Sequence, residues 1–243
     1  MENALYISMS RQAVLESQMS MVANNIANIA SPGYRAQDLL FREYIADPKG
    51  QGPAYSMVYD QGQFTSTTPG VTQTTGAPLD VALQGPGFFA VATPQGERYT
   101  RAGNFTLNAQ NQLILPTGET VSSGGGSPIT LPPGATGISI DERGTVSTSD
   151  GVVGQISIVE FTNTDALVRE GNGLYSAPNG AAPAPATNTR AMQGMLEASN
   201  VQSVLEVTKM IGILRDYQSL QRMIQNEHDL QRTAIQRLTR QNG

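Results

Sequence analysis

The stretch Met21-Val22-Ala23-Asn24-Asn25-Ile26-Ala27-Asn28-Ile29-Ala30-Ser31-Pro32-Gly33-Tyr34-Arg35 decides how this chain is read. Residues 2–30 contain neither Gly nor Pro, and their apolar side chains recur at helical spacing. Leu15, Val22 and Ile29 make one i, i+7 row, with Met19 and Ile26 beside it. Ser31-Pro32-Gly33 then ends the helix, because proline disfavours helical geometry before it and glycine tolerates a left-handed turn. Pro32-Gly33 is therefore read first as a helix stop. A hinge between a core helix and an outer domain is the sharper reading. Asn24, Asn25 and Asn28 also carry two readings: a solvated or capping polar strip, or amides that bond across subunits without the desolvation penalty of a charge.

Working outward, residues 76–178 read as short strands and turns. Phe88-Phe89-Ala90-Val91-Ala92 is a strand, Pro94-Gln95-Gly96 a turn and Arg98-Tyr99-Thr100 the returning partner. Phe88 and Phe89 point to opposite faces, so one belongs to the core and the other is a candidate contact with a neighbour. From Ser199 to about Thr239 proline is absent and Gly212 is the single glycine. Ser199 or Asn200 is the expected cap. Apolar residues follow two rows, Val204, Val207, Ile211, Leu214 and then Ile213, Tyr217, Leu220, Ile224. A helix of ~40 residues spans roughly 60 Å, more than a domain of this size needs for itself. Its two partly apolar faces suit more than one neighbour.

The sequence thus predicts an α+β fold, with long N- and C-terminal helices packed together in coiled-coil fashion and a central antiparallel β-rich domain. The expected divisions are an N-terminal helix over 1–33, an extended connector over 34–75, a β-rich outer domain over 76–190, and a C-terminal helix over 191–243 that packs with 1–33. Leu15, Met19, Val22, Asn24, Asn25, Ile26, Asn28, Ile29, Val207, Ile211, Leu214, Tyr217, Leu220 and Ile224 are the expected assembly residues.

Composition narrows the function. The chain has a formal charge of −5 and no cysteine. The first disfavours a general attraction to nucleic acid or anionic lipid, and the second removes disulfides, thiolate ligands and thiol nucleophiles together. No apolar run reaches the ~18 residues of a membrane span, and Met1 to Arg11 lacks the basic n-region of a cleavable secretory signal. The single histidine, His228, stands between Glu227 and Asp229 on a predicted helix, where adjacent residues do not face one another, so neither a metal site nor a Ser-His-Asp device is supported. No phosphate-binding glycine motif is present. An enzyme is not expected, nor a cofactor.

Four segments, in order, resemble one known family. Ala23 to Arg35 is similar to the Ala-Asn-Asn motif of the bacterial flagellar rod and hook proteins. Pro78-Leu79-Asp80-Val81-Ala82-Leu83-Gln84-Gly85-Pro86-Gly87-Phe88-Phe89 resembles their central β-domain motif, followed by Tyr99-Thr100-Arg101-Ala102-Gly103-Asn104-Phe105. Gly194-Met195-Leu196-Glu197-Ala198-Ser199-Asn200-Val201 resembles the segment that opens their C-terminal helix. The opening Ala4 to Ser10 is most like proximal-rod members, with distal-rod members as the alternative. The resemblance implies a structural subunit of the basal-body rod, exported through the flagellar type III apparatus without cleavage. It also implies assembly in the periplasm with homologous rod subunits and copies of itself, the terminal helices forming the inner tube. Outside the family, the residues also fit a β-domain binding module with a helical dimer stalk.

Overall fold

The computed structural model describes residues 2–46, 55–178 and 181–241. Helix α1 runs Glu2–Ala27 and helix α2 runs Ser203–Gln241. Among the described residues these are the only α-helices. After α1 the chain tightens into turns through Gly33, whose φ of +67° is the left-handed conformation that glycine tolerates. Helix α2 begins only at Ser203. The expected caps are engaged elsewhere: the Ser199 Oγ accepts from the Val201 N–H, and Asn200 bridges two other segments.

The chain forms two compact units. One draws on 1–27, 37–64 and 202–243, and so holds α1, α2 and strands β1 (Gln37–Ala46) and β2 (Tyr55–Thr65), which pair as a two-stranded sheet. Inside it Gln12 Nε2 donates to the Tyr217 hydroxyl at 3.2 Å, joining the helices. Leu15, Met21, Val22 and Leu220 are its buried apolar side chains among the described residues.

The other unit comprises 28–36 and 65–201. Its centre is β5 (Phe88–Thr93), introduced after β3 (Thr72–Thr74) and β4 (Val81–Gln84) and followed by β6 (Gly96–Thr100). Strands β5 and β6 pair antiparallel with Phe89 opposite Thr100 and Thr93 opposite Gly96, as the turn residues predict. Alternation sends Phe88 and Phe89 to opposite sides of the sheet. Both are core: Phe89 packs edge-on to Phe105 at 5.0 Å, within a cluster that includes Val81, Leu113 and Val121. Phe88 meets Phe161 and Tyr175 in a second cluster. Neither is left for a neighbour. The late strands Arg190–Gln193 and Met195–Glu197 return to pair with β4 and β3, which ties the end of the unit to its beginning.

The expected fold class needs correction. The sequence predicts long N- and C-terminal helices packed in coiled-coil fashion around one central antiparallel β-rich domain; α1 is the shorter helix and the β-rich body holds several sheets. Helix α1 has 26 residues against 39 in α2, so α2 outreaches it by about 13 residues, or ~20 Å at 1.5 Å per residue. The reason lies at Ser31-Pro32-Gly33, which forbids continuation. Among the described residues the β structure is also divided, into five sheets, and β1–β2 groups with the helices. Among its described residues the segment 34–75 carries β1, β2 and the strand Thr72–Thr74.

Candidate functional site

Helix α2 presents two apolar faces with different fates. On one, Leu220 is 7% exposed, Ile213, Tyr217 and Ile224 are half-buried, and Tyr217 receives the bond from Gln12 of α1. On the other, Val204, Val207, Ile211 and Leu214 stand exposed, from 80% at Val204 to 44% at Leu214. Their 3-4-3 spacing keeps them on a single stripe. The two rows looked equivalent in sequence; the fold uses the first internally and leaves the second to solvent.

Helix α1 divides similarly. Leu15 and Val22 are buried, Met19 and Ile26 half-buried, and Asn24 exposed. Asn25 is fully enclosed and its amide works inside the chain. Its Nδ2 donates to the Gln37 carbonyl at 2.9 Å and to Glu206 Oε2 at 3.1 Å, and its Oδ1 accepts from the Gln37 N–H at 3.0 Å. Glu206 is itself buried, in the first turn of α2, where the helix dipole favours a carboxylate. Lys209 Nζ donates to it at 2.6 Å and lies 3.6 Å from Asp38. This hydrogen bond from Lys209 to Glu206 is the main cause that raises the lysine above its ordinary 10.5.

Asn28 and Ile29 fall in the β unit, both half-buried. Asn28 holds the post-helical turn: Ser31 Oγ donates to its Oδ1 at 3.1 Å and the Ser31 N–H to its carbonyl. Pro32-Gly33 lies in the turn that follows α1. The Gly33 N–H donates to the Glu197 carbonyl at 2.7 Å, and a Cβ on Gly33 would collide with the backbone of Arg101 and Ala102.

Around that contact lies a charged cluster that sequence reasoning did not single out. Glu197 sits between Arg35 and Arg101, 3.5 Å from a guanidinium nitrogen of each. All three side chains are more than nine-tenths buried. Arg35 Nη1 also donates to the Thr67 carbonyl, Arg101 Nη2 to the Gly85 carbonyl, and Glu197 Oε1 accepts from the Gly70 N–H. Arg101 stacks 5.0 Å over Phe88, and Arg169 lies 4.2 Å over Tyr34 while donating to the Arg35 carbonyl. Burial pushes the Arg101 guanidinium down to about 10, with Glu197 pulling the other way. The signal was available: in a chain only 14% charged, each of three quoted motifs carries one of these residues.

Asn200 completes the region. Its Oδ1 accepts from the Ala36 N–H at 2.7 Å, its Nδ2 donates to the Thr68 carbonyl at 2.8 Å, and its own N–H reaches the Tyr34 carbonyl. These bonds fasten chain segments to one another.

With the geometry in hand, comparison identifies the class. Residues 5–35 match the family model described as flagella basal body rod protein, residues 82–148 the flagellar hook protein FlgE/F/G D1 domain, and residues 192–237 the flagellar basal body rod FlgEFG protein C-terminal model. The chain belongs to the flagellar basal-body rod protein family, and it is a structural subunit of the bacterial flagellar basal-body rod. Within the family it is FlgF-like. It is 40% identical to the flagellar basal-body rod protein FlgF of Caulobacter vibrioides, over 98% of each chain, and 31% identical to that of Rhizobium meliloti, again over 98% of each. Flagellar basal-body rod protein FlgG of Bacillus subtilis is 32% identical, over 95% of this chain and 97% of that one. Membership places the chain in the flagellar basal body, assembled with other rod components. Among the described residues no helix is long and apolar enough to cross a membrane.

Proposed function

We propose that the chain is a proximal-rod subunit that joins homologous rod proteins and copies of itself through the outward faces of its terminal helices. In this reading it carries out no chemistry and binds no cofactor. It travels through the flagellar type III export apparatus without losing a signal peptide and takes its place in the periplasmic rod. The observation that carries the assembly reading is the exposed stripe Val204, Val207, Ile211, Leu214, on a helix whose opposite face is already occupied. A contiguous apolar stripe on a surface helix marks an interaction site, and burying it is favourable at roughly 25 cal/mol per Å². Val207, Ile211 and Leu214 are therefore the assembly residues proper. Leu15, Val22, Asn25, Tyr217, Leu220 and Ile224 act one step back, by holding α1 and α2 in register.

The test is Ile211→Asp in the full chain, read by motility and by rods in isolated basal bodies. A carboxylate buried against a neighbour costs several kcal/mol unless paired, as an order of magnitude. The chain is exported, its β unit stays folded, and rods are missing. Normal rods from the Ile211→Asp strain would defeat the reading.

A further inference from the structure

Gly212 is the single glycine of α2, and nothing among the described residues packs against it. A Cβ there would meet open space. Glycine is the poorest helix former after proline, so the position forgoes helix stability for no internal gain. It floors a groove of about 340 Å³ whose walls include Met21, Val22, Leu39 and Ile213, with Asp38 and Asp216 among its charged residues. Helix α2 thus carries both an apolar ridge and an apolar notch. At about 100° per residue, Gly212 stands about 100° from Ile211 and 160° from Leu214, so ridge and notch occupy different flanks.

We propose that the notch over Gly212 in one copy receives the ridge Val207, Ile211, Leu214 of a second copy, with Arg215 of the ridge copy meeting Asp38 and Asp216. Three observations single out a second copy as occupant. The missing Cβ leaves room for a branched side chain, which is what the ridge offers. The charges complement: Arg215 flanks the ridge and forms no ion pair among the described residues, while the notch carries Asp216 and Asp38 against one cation, Lys209. That lysine lies 3.6 Å from Asp38 and leaves Asp216 as the carboxylate with no ion pair among the described residues. A contact between two different flanks of one helix is heterologous, and such contacts propagate into rings or open helical arrays rather than closing as a twofold dimer. That is what a subunit of a tubular rod requires. The inference rests on the outward face of α2 being an assembly surface, and names what covers it.

The chain has no cysteine, which makes cross-linking clean. Arg215→Cys and Asp216→Cys, one of them epitope-tagged, are co-expressed as full chains, and basal bodies are isolated and oxidised. The result expected is a tagged–untagged dimer of this chain, formed at least tenfold faster than in strains expressing either variant alone. Neighbouring positions on one helix do not face each other, so the bond reports two copies. Cross-linking confined to like pairs, to a different protein, or absent from assembled rods overturns the inference. Should the cysteine strains lack rods, a second pair decides. Arg215→Asp and Asp216→Arg each lower rod yield several-fold, and the doubly exchanged chain regains it; no recovery overturns the proposal. Failure here with Ile211→Asp still blocking assembly rejects only the occupant. Failure of both rejects the assembly reading as well.

Discussion

Glu197→Gln is the substitution that most directly probes how the β unit holds its ends. The change is isosteric and keeps an oxygen for the Gly70 N–H, but it removes the single carboxylate between Arg35 and Arg101. Both guanidiniums then remain buried without a counter-charge, although each keeps a backbone carbonyl partner. Deleting one partner of a buried ion pair costs ~3–5 kcal/mol, a large share of the 5–15 kcal/mol that stabilises a typical domain. With a urea slope of ~1–3 kcal/mol per M, the midpoint falls by roughly 1–5 M. The assay is urea unfolding of the full chain followed by tyrosine fluorescence, since Tyr34, Tyr99 and Tyr175 are buried and tryptophan is absent. The control is Glu142→Gln, which breaks a pair with Arg190 whose side chains are both more than two-thirds exposed. Such surface pairs contribute about 0–1 kcal/mol. Equal midpoints for the two variants would refute the view that the cluster fastens the unit.

Two further outcomes follow from the helical unit. Leu220→Ala destabilises it by about 2–5 kcal/mol, because a buried leucine leaves a cavity, while Ile211→Ala stays within about 0.5 kcal/mol in thermal melts of the isolated chain. Lys209 has its pKa raised above 10.5 by Glu206 first, so its contribution is fully present below pH 10.5 and is lost as pH rises through the folded value. Helical circular dichroism of the wild type should therefore decline in that alkaline window, and Lys209→Met should remove this component of the decline.

What was legible in sequence was what depends on local pattern. The apolar rows and the absence of proline placed both helices, Ser31-Pro32-Gly33 placed the end of α1, and the turn residues between Ala92 and Arg98 placed the β5–β6 pair. Strand β1 was missed because Asp38-Leu39-Leu40-Phe41-Arg42-Glu43 lacks the strict alternation of a half-buried strand. Which apolar row of α2 turns inward was not legible either, since both rows are apolar and correctly spaced. The choice depends on where Gln12 and Asn25 of α1 meet Tyr217 and Glu206. The Arg35–Glu197–Arg101 cluster pairs residues 162 and 96 positions apart, which no local window contains.

That cluster also bears on how two helices separated by most of the chain come to pair. Between Ala27 and Ser203 lie 175 residues, and closing a flexible loop of that length carries an entropy penalty that grows with the logarithm of its length. The β unit removes most of that freedom. It fixes the segment continuing from α1 beside the segment leading into α2, through Gly33 N–H to the Glu197 carbonyl, Asn200 N–H to the Tyr34 carbonyl, and the Asn200 amide to Ala36 and Thr68. Once these bonds form, the tether between the helices shrinks from 175 residues to the few on either side of the clasp. The hydrogen bonds from Gln12 to Tyr217 and from Asn25 to Glu206, with the buried side chains of Leu15, Met21, Val22 and Leu220, then pair α1 with α2.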